Sequence, residues 1–194
     1  MIEEGVDIID IGGESTRPGS DPVSIDEELK RIIPIIEALK RDSDIAISVD
    51  TYKPAVMKEV IDMDVAMIND VYALTQPGAI DIIKKSEVGI CLMHMQGTPK
   101  TMQINPTYKN VVSEVQSFLK GRAEMLISEG IDQSRIILDP GFGFGKTFEL
   151  SHEKEFGKNI KELYDIAIKE LDNAEDYGFL NLAEFVAEAM SNPR

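Results

Sequence analysis

The chain has 194 residues, of which 43% are hydrophobic and 28% charged, enough for one sizeable core but short of the roughly 250 residues that a complete (β/α)8 barrel takes. A net charge of −15, with 20 Lys and Arg scattered along the chain, works against nucleic acid phosphates and anionic lipid surfaces. No apolar run approaches the roughly 18 residues of a membrane span, so neither nucleic acid nor membrane is expected as a partner.

Short apolar runs rich in β-branched residues alternate with longer helical patterns, which predicts an α/β fold built on a parallel sheet. VDIIDIGG opens as a strand and runs into the loop GGESTRPGS. A helix over IDEELKRIIPIIEALKR follows, starting at Ser24 with Glu27 as its capping-box partner. IAISVDT is the second strand, and Pro54 suits the first turn of the helix PAVMKEVIDM. VAMINDV, the helix AIDIIKKS, VGICLMHM, a helix from about Asn110 to Glu129 and RIILDPG complete the alternation. Beyond Thr147 the strands stop, and SHEKEFGKNIKELYDIAIKELDNAEDYG and LNLAEFVAEAMSN read as helices. The expected organisation is a barrel-like part over residues 1–147 and a helical tail over 148–194.

The N-terminal MIEEGVDIID is acidic where an export signal is basic. Cys91, the only cysteine, sits in an apolar run that favours a buried thiol over a reactive one. Both features fit a reducing cytoplasm, the expected localisation.

Every strand candidate ends in glycine or polar residues: Gly12, Gly13 and Glu14; Asp50 and Thr51; Asn69 and Asp70; His94 and Gln96; Asp139 and Gly141. In parallel α/β folds the C-terminal strand ends share the face where ligands bind. Asp50, Asn69 and Asp139 stand out as polar groups closing strongly apolar strands. Any one of them could instead cap the next helix or hold a loop, but three on one face favour a ligand. Two carboxylates and an amide can satisfy a flat heterocycle with amino and ring N–H donors, and the edge of a 2-amino-4-oxo pterin has that pattern. Thr16, Arg17 and the backbone of GGESTRPGS could face an anion, since Arg holds phosphate or carboxylate in bidentate fashion.

Two other motifs fail on spacing. GFGFGKT lacks the first glycine of a nucleotide phosphate loop, and His152-Glu153 is followed by Phe156 where a zinc-protease helix needs His. His94, between two methionines, reads as a satisfied, partly buried histidine rather than a ligand or base.

In this order and spacing, DIIDIGGESTRPGS, ISVDTYKP, INDV, LMHMQGTPKTMQ, FLKGRAE and ILDPGFGFGKT resemble the dihydropteroate synthase family of pterin-binding enzymes over residues 1–147. The resemblance implies a partial TIM-type (β/α)8 barrel with parallel strands. It implies a transferase of folate biosynthesis that joins 6-hydroxymethyl-7,8-dihydropterin diphosphate to 4-aminobenzoate, giving 7,8-dihydropteroate and diphosphate. It further implies homodimers and Mg2+ on the leaving diphosphate. By motif, Asp50, Asn69 and Asp139 fall on pterin-binding positions, with Asp50 and Asp139 catalytic in stabilising charge on the pterin methylene. Thr16, Arg17 and Pro18 fall on the loop that encloses diphosphate and aminobenzoate, and Phe142 on the benzoate side.

Departures from the family pattern set a further expectation. No counterpart is found for the first strand, whose Asn helps hold magnesium, or for the S-R-K-S lysine and the Arg-x-His anion site of the later units. Asp64-Val65 replaces a usual Gly-Ala pair, and Tyr72 and Thr75-Gln76 depart in the loop after INDV. The chain is therefore expected to form an open, partial barrel of five strands with impaired activity and no metal ligand of its own. The alternatives are a non-catalytic pterin-binding fragment and a methyltetrahydrofolate corrinoid methyltransferase-like barrel.

Overall fold

The structure is a computed structural model and describes residues 2–146; the tail expected over 148–194, His152 and Glu153 included, lies outside the described residues. A short 3-10 turn, Ile2–Glu4, precedes β1 (Ile8–Gly12). The chain continues through α1 (Ile25–Asp42), β2 (Ala46–Asp50), α2 (Pro54–Asp62), β3 (Met67–Asp70), α3 (Ala79–Ile83), β4 (Gly89–Met93) and α4 (Val111–Ser128) to β5 (Ile136–Asp139). All neighbouring strands pair in parallel, in the spatial order β1-β2-β3-β4-β5. Sequential parallel strands with a helix in every crossover form the wall of a (β/α)8 barrel. Among the described residues β1 and β5 do not pair with each other, so the wall is open and the barrel partial.

Register decides what each face of the sheet carries, because side chains alternate along a strand and paired residues of parallel strands share a face. One face bears Ile9 and Ile11, Ile47 and Val49, Ile68, Ile90 and Leu92, Ile136 and Leu138. Onto it pack Ile32 and Ile36 of α1, Val56, Met57 and Val60 of α2, Ala79 and Ile83 of α3, and Leu126 of α4. Most of these side chains are wholly buried, and each such aliphatic contributes about 1.5–3 kcal/mol on leaving water. This apolar layer is the core of the described part. The opposite face bears Asp10 and Gly12, Ser48 and Asp50, Met67 and Asn69, Gly89, Cys91 and Met93, then Ile137 and Asp139.

The expected helix starts are found with one change. Ser24 caps α1 by accepting from the Glu27 N–H at 3.2 Å, and Pro54 opens α2. The Glu27 carboxylate, however, takes the Arg31 guanidinium at 2.8 Å, so the reciprocal half of the capping box gives way to a pair one turn along the helix. No helix among the described residues is long and apolar enough to cross a membrane.

Candidate active site

The polar face of the sheet collects the three residues singled out from strand ends. Asp50 and Asn69 are direct register partners, and Asn69 pairs with Cys91. Asp139 pairs with Met93, two residues beyond Cys91 and hence on the same face. Asp10 joins them from β1: the Asn69 side-chain amide donates to its carboxylate at 3.2 Å. Strict alternation in DIIDIGG places Asp10 two residues before Gly12 on that face, a signal that attention to strand ends alone overlooked.

Two buried side-chain carbonyl or carboxylate oxygens here, Asp50 Oδ1 and Asn69 Oδ1, accept no hydrogen bond, and the Ser48 hydroxyl on the same face has no partner either. A buried acceptor left without a donor costs about 1–3 kcal/mol, so the pair favours a molecule that brings N–H groups. Burial pushes the Asp50 carboxyl up to about 7, with the neighbouring Asp10 adding to the effect, then Asp70, Glu28 and Glu14. Burial likewise raises Asp139, against the opposing pull of the Gly141 N–H and of Lys146. Carboxyl groups shifted upward on one face are what a site that matches charge to a ligand requires.

The loop-holding alternative is realised by Asp70, next to the trio, and in part by Asp139, whose Oδ1 accepts from the Gly141 N–H. Asp70, fully buried on the helix side, accepts from the N–H groups of Tyr72 at 2.8 Å and Leu74 at 2.9 Å. It thereby holds the turn after β3, in which Ala73 and Leu74 adopt positive φ. Arg122 of α4 supports the same turn by donating to the Ala73 carbonyl at 2.9 Å. Asn69, one residue earlier, faces the other way and is left for the site.

The loop after β1 rests on a buried ion cluster that the sequence did not reveal. Lys53 Nζ lies 2.5 Å from both Glu14 Oε2 and Glu28 Oε2, with side-chain exposures of 12%, 8% and 1% for the three residues. Glu14 also accepts from the Tyr52 hydroxyl and the Val23 N–H, both at 2.8 Å, and Glu28 accepts from Thr51 at 2.6 Å. Burial alone would lower the Lys53 pKa, but its two carboxylate partners raise it, so the ammonium stays charged. Above this base Thr16 is partly buried while Arg17 and Pro18 are exposed. The Gly19 N–H donates to the Pro99 carbonyl at 3.2 Å, and Lys100 pairs with Asp21 at 2.9 Å. The loop with Thr16, Arg17 and Pro18 thus docks on the loop after β4, with the Arg17 side chain exposed.

The turn after β5 carries Phe142. Asp139 Oδ1 accepts from the Gly141 N–H at 2.7 Å, which leaves the second carboxylate oxygen as the one to face a ligand. Gly141 and Gly145 have positive φ, and a Cβ on either would overlap carbonyl oxygens at the end of β4, those of His94 and Gln96. The glycines of GFGFGK therefore serve close packing of two loops, in keeping with the rejection of a phosphate loop. His94 is buried as expected and satisfied, its Nδ1 3.0 Å from Lys146 Nζ. Burial and the adjacent Lys146 push its pKa down to about 4, so the ring is neutral and Nδ1 accepts.

Magnesium finds no cage in this set. Among the described residues no group of three or more His, Cys, Asp or Glu could hold a metal ion. The described residues alone do not fit the cation, and no step is assigned to it.

Comparison with known proteins agrees with this geometry. The model of the family described as pterin binding enzyme matches residues 1–170, past Thr147, where the motif resemblance ended. The dihydropteroate synthase of Haemophilus influenzae is 46% identical over 166 residues, covering 86% of this chain and 60% of that protein. That of Escherichia coli K12 is 44% identical over 164 residues, covering 84% and 57%. The chain thus spans somewhat over half the length of these relatives. Among solved structures, Yersinia pestis dihydropteroate synthase with a sulfonamide drug complex superposes with a TM-score of 0.80 at 41% identity, over 84% of this chain and 58% of that one. Burkholderia cenocepacia dihydropteroate synthase complexed with 7,8-dihydropteroate does so with a TM-score of 0.69 at 51% identity, over 75% and 52%. A parallel wall whose polar face gathers Asp10, Asp50, Asn69 and Asp139, together with these matches, places the chain in the pterin binding enzyme family, among the relatives of dihydropteroate synthase.

Proposed function

We propose that the polar face binds the pterin ring of 6-hydroxymethyl-7,8-dihydropterin diphosphate, and that the chain contributes the pterin-recognition half of dihydropteroate synthesis. The observation that carries this reading is the pair of buried, unpaired acceptors, Asp50 Oδ1 and Asn69 Oδ1, on the face that also bears Asp139. Amino and ring N–H donors of a pterin answer that set.

In the reaction, the aromatic amine nitrogen of 4-aminobenzoate bonds to the pterin methylene carbon. The carbon–oxygen bond to diphosphate breaks with its electron pair leaving on the oxygen, and the amine proton passes to solvent. Asp50 and Asp139 act as catalytic carboxylates by stabilising positive charge at the methylene, not as nucleophiles. Thr16, Arg17 and Pro18 close over diphosphate and aminobenzoate, excluding water from the cationic centre, with Phe142 on the benzoate side. Magnesium belongs to this reading only as a hard cation that would accompany the diphosphate. A cytoplasmic setting and homodimeric assembly belong to it as well.

The test separates recognition from turnover. Calorimetric titration of the chain with 6-hydroxymethyl-7,8-dihydropterin is expected to show binding, and Asp139→Asn to weaken it more than it weakens 4-aminobenzoate. Dihydropteroate formation under saturating substrates and magnesium is expected to be slight, because the described residues alone do not fit the cation that would accompany the diphosphate. Absence of pterin binding would overturn the reading. Binding without any turnover would make this chain a ligand-binding piece of the enzyme.

A further inference from the structure

Lys146 is 2% exposed and is the only cation among the largest fully buried side chains of the described residues. A buried ammonium is costly unless its protons are taken up, and here three carbonyls and a ring nitrogen surround it. Nζ lies 2.9 Å from the carbonyl oxygens of Gly141 and Phe144, 3.3 Å from that of His94 and 3.0 Å from His94 Nδ1. These acceptors come from two segments, the end of β4 and the turn after β5, and among the described residues no carboxylate is bonded to the ammonium.

We infer that Lys146 is a positioning residue, whose ammonium clamps the turn after β5 onto the end of β4 and so holds the Asp139 carboxylate in place and charged. Three further observations support the clamp. Gly141 and Gly145 permit a backbone approach that a side chain would block. The Tyr108 hydroxyl closes the far end of the turn by donating to the Gly145 carbonyl at 2.6 Å. The Lys146 charge favours ionised Asp139, while burial pulls Lys146 itself down to about 8. Among the described residues the titratable groups around it are His94 at the end of β4, Asp139 on β5, Tyr108 in the loop before α4 and, acting on His94, Glu114 of α4.

The proposal rests on the pterin reading only for its effect on affinity. Its test therefore has two arms on the full chain. In the first, the Asp139 carboxyl carbon, assigned by its loss in Asp139→Asn, is titrated by 13C NMR. Lys146→Met is expected to raise its midpoint by about 1 pH unit, as loss of a nearby cation does, and Lys146→Arg to return it toward wild type. Lys146→Gln keeps donors for the carbonyls without the charge and should show the same rise, which leaves the arm decisive if the Met variant does not fold. In the second arm, affinity for 6-hydroxymethyl-7,8-dihydropterin should fall about 10- to 100-fold in Lys146→Met, the range for groups that orient a ligand-binding side chain. Leu126→Ala, a core change on α4 away from the site, lowers stability and should leave that affinity unchanged. An Asp139 titration unmoved by loss of the charge would overturn the proposal, as would an affinity loss no larger than that of Leu126→Ala. If the wild-type chain binds no pterin, the ligand reading falls, and the NMR arm still decides the clamp.

Discussion

The two faces of the sheet obey opposite rules. On the helix side, Ile11, Val49, Ile68, Ile90 and Leu92 meet apolar partners, and the buried Asp70 carboxylate is bonded twice. On the other side, Asp10, Asp50, Asn69 and Asp139 are grouped, and the buried oxygens Asp50 Oδ1, Asn69 Oδ1 and Ser48 Oγ have no hydrogen-bond partner. Stability resides on the first face and, on the proposed reading, ligand chemistry on the second, so that one strand serves both through its two-residue period. Between them runs a rim of charged clamps, Lys53 at the loop after β1 and Lys146 at the turn after β5, which fix the loops that border the site.

The largest effect is expected at the rim. Lys53→Met would leave the Glu14 and Glu28 carboxylates buried without a cation, and breaking a buried pair in this way costs about 3–5 kcal/mol. The measurement is urea unfolding at pH 7. A midpoint unchanged from wild type would show that solvent reaches the cluster and that the rim does not hold the loop.

On the helix side, Leu92→Ala removes a wholly buried side chain and is expected to cost about 2–5 kcal/mol, depending on how far the cavity collapses. Pterin affinity in the folded fraction should stay near wild type, because Leu92 faces away from Asp50 and Asn69. An affinity loss larger than the change in folded population would break the division of labour between faces.

That division was legible in part from the sequence. Among the described residues, the order and approximate extents of the five strands and four helices followed from apolar periodicity, since alternation with helices leaves few other arrangements for runs such as IAISVDT and VGICLMHM. The convergence of Asp50, Asn69 and Asp139 followed from the rule that strand ends share a face. Asp10 was missed because it lies inside its strand, where only register reveals a polar group facing a site. The clusters around Lys53 and Lys146 were missed for a different reason: their partners are 25 and more residues away or are backbone carbonyls, and neither leaves a local pattern. Glu27 went astray because two partners compete for its carboxylate, and the exposed Arg31 one turn along the helix is the one it meets.

The effect that sharpens the contrast most is expected at Asp50. Its carboxyl is raised from an ordinary 3.8 to about 7 by burial first and by Asp10 next, so the folded state holds a proton that the unfolded chain releases. A raised carboxyl pKa favours folding below the unfolded value and loses that advantage as pH rises through the folded one. Between about pH 4 and 7 the native chain is therefore progressively penalised, and above 7 the full penalty applies. Asp50→Asn removes the ionisation with little change in shape. Its melting temperature should exceed wild type at pH 8 and converge on it below about pH 3, where Asp50 is protonated in both states. Pterin affinity should fall in the same variant, since an amide brings a donor where the ring already supplies donors. A protein that becomes more stable as it loses its ligand is what a site built at the expense of the fold predicts. Equal melting temperatures at pH 8 would mean that Asp50 is ionised at little cost, and that the polar face is as well satisfied as the apolar one.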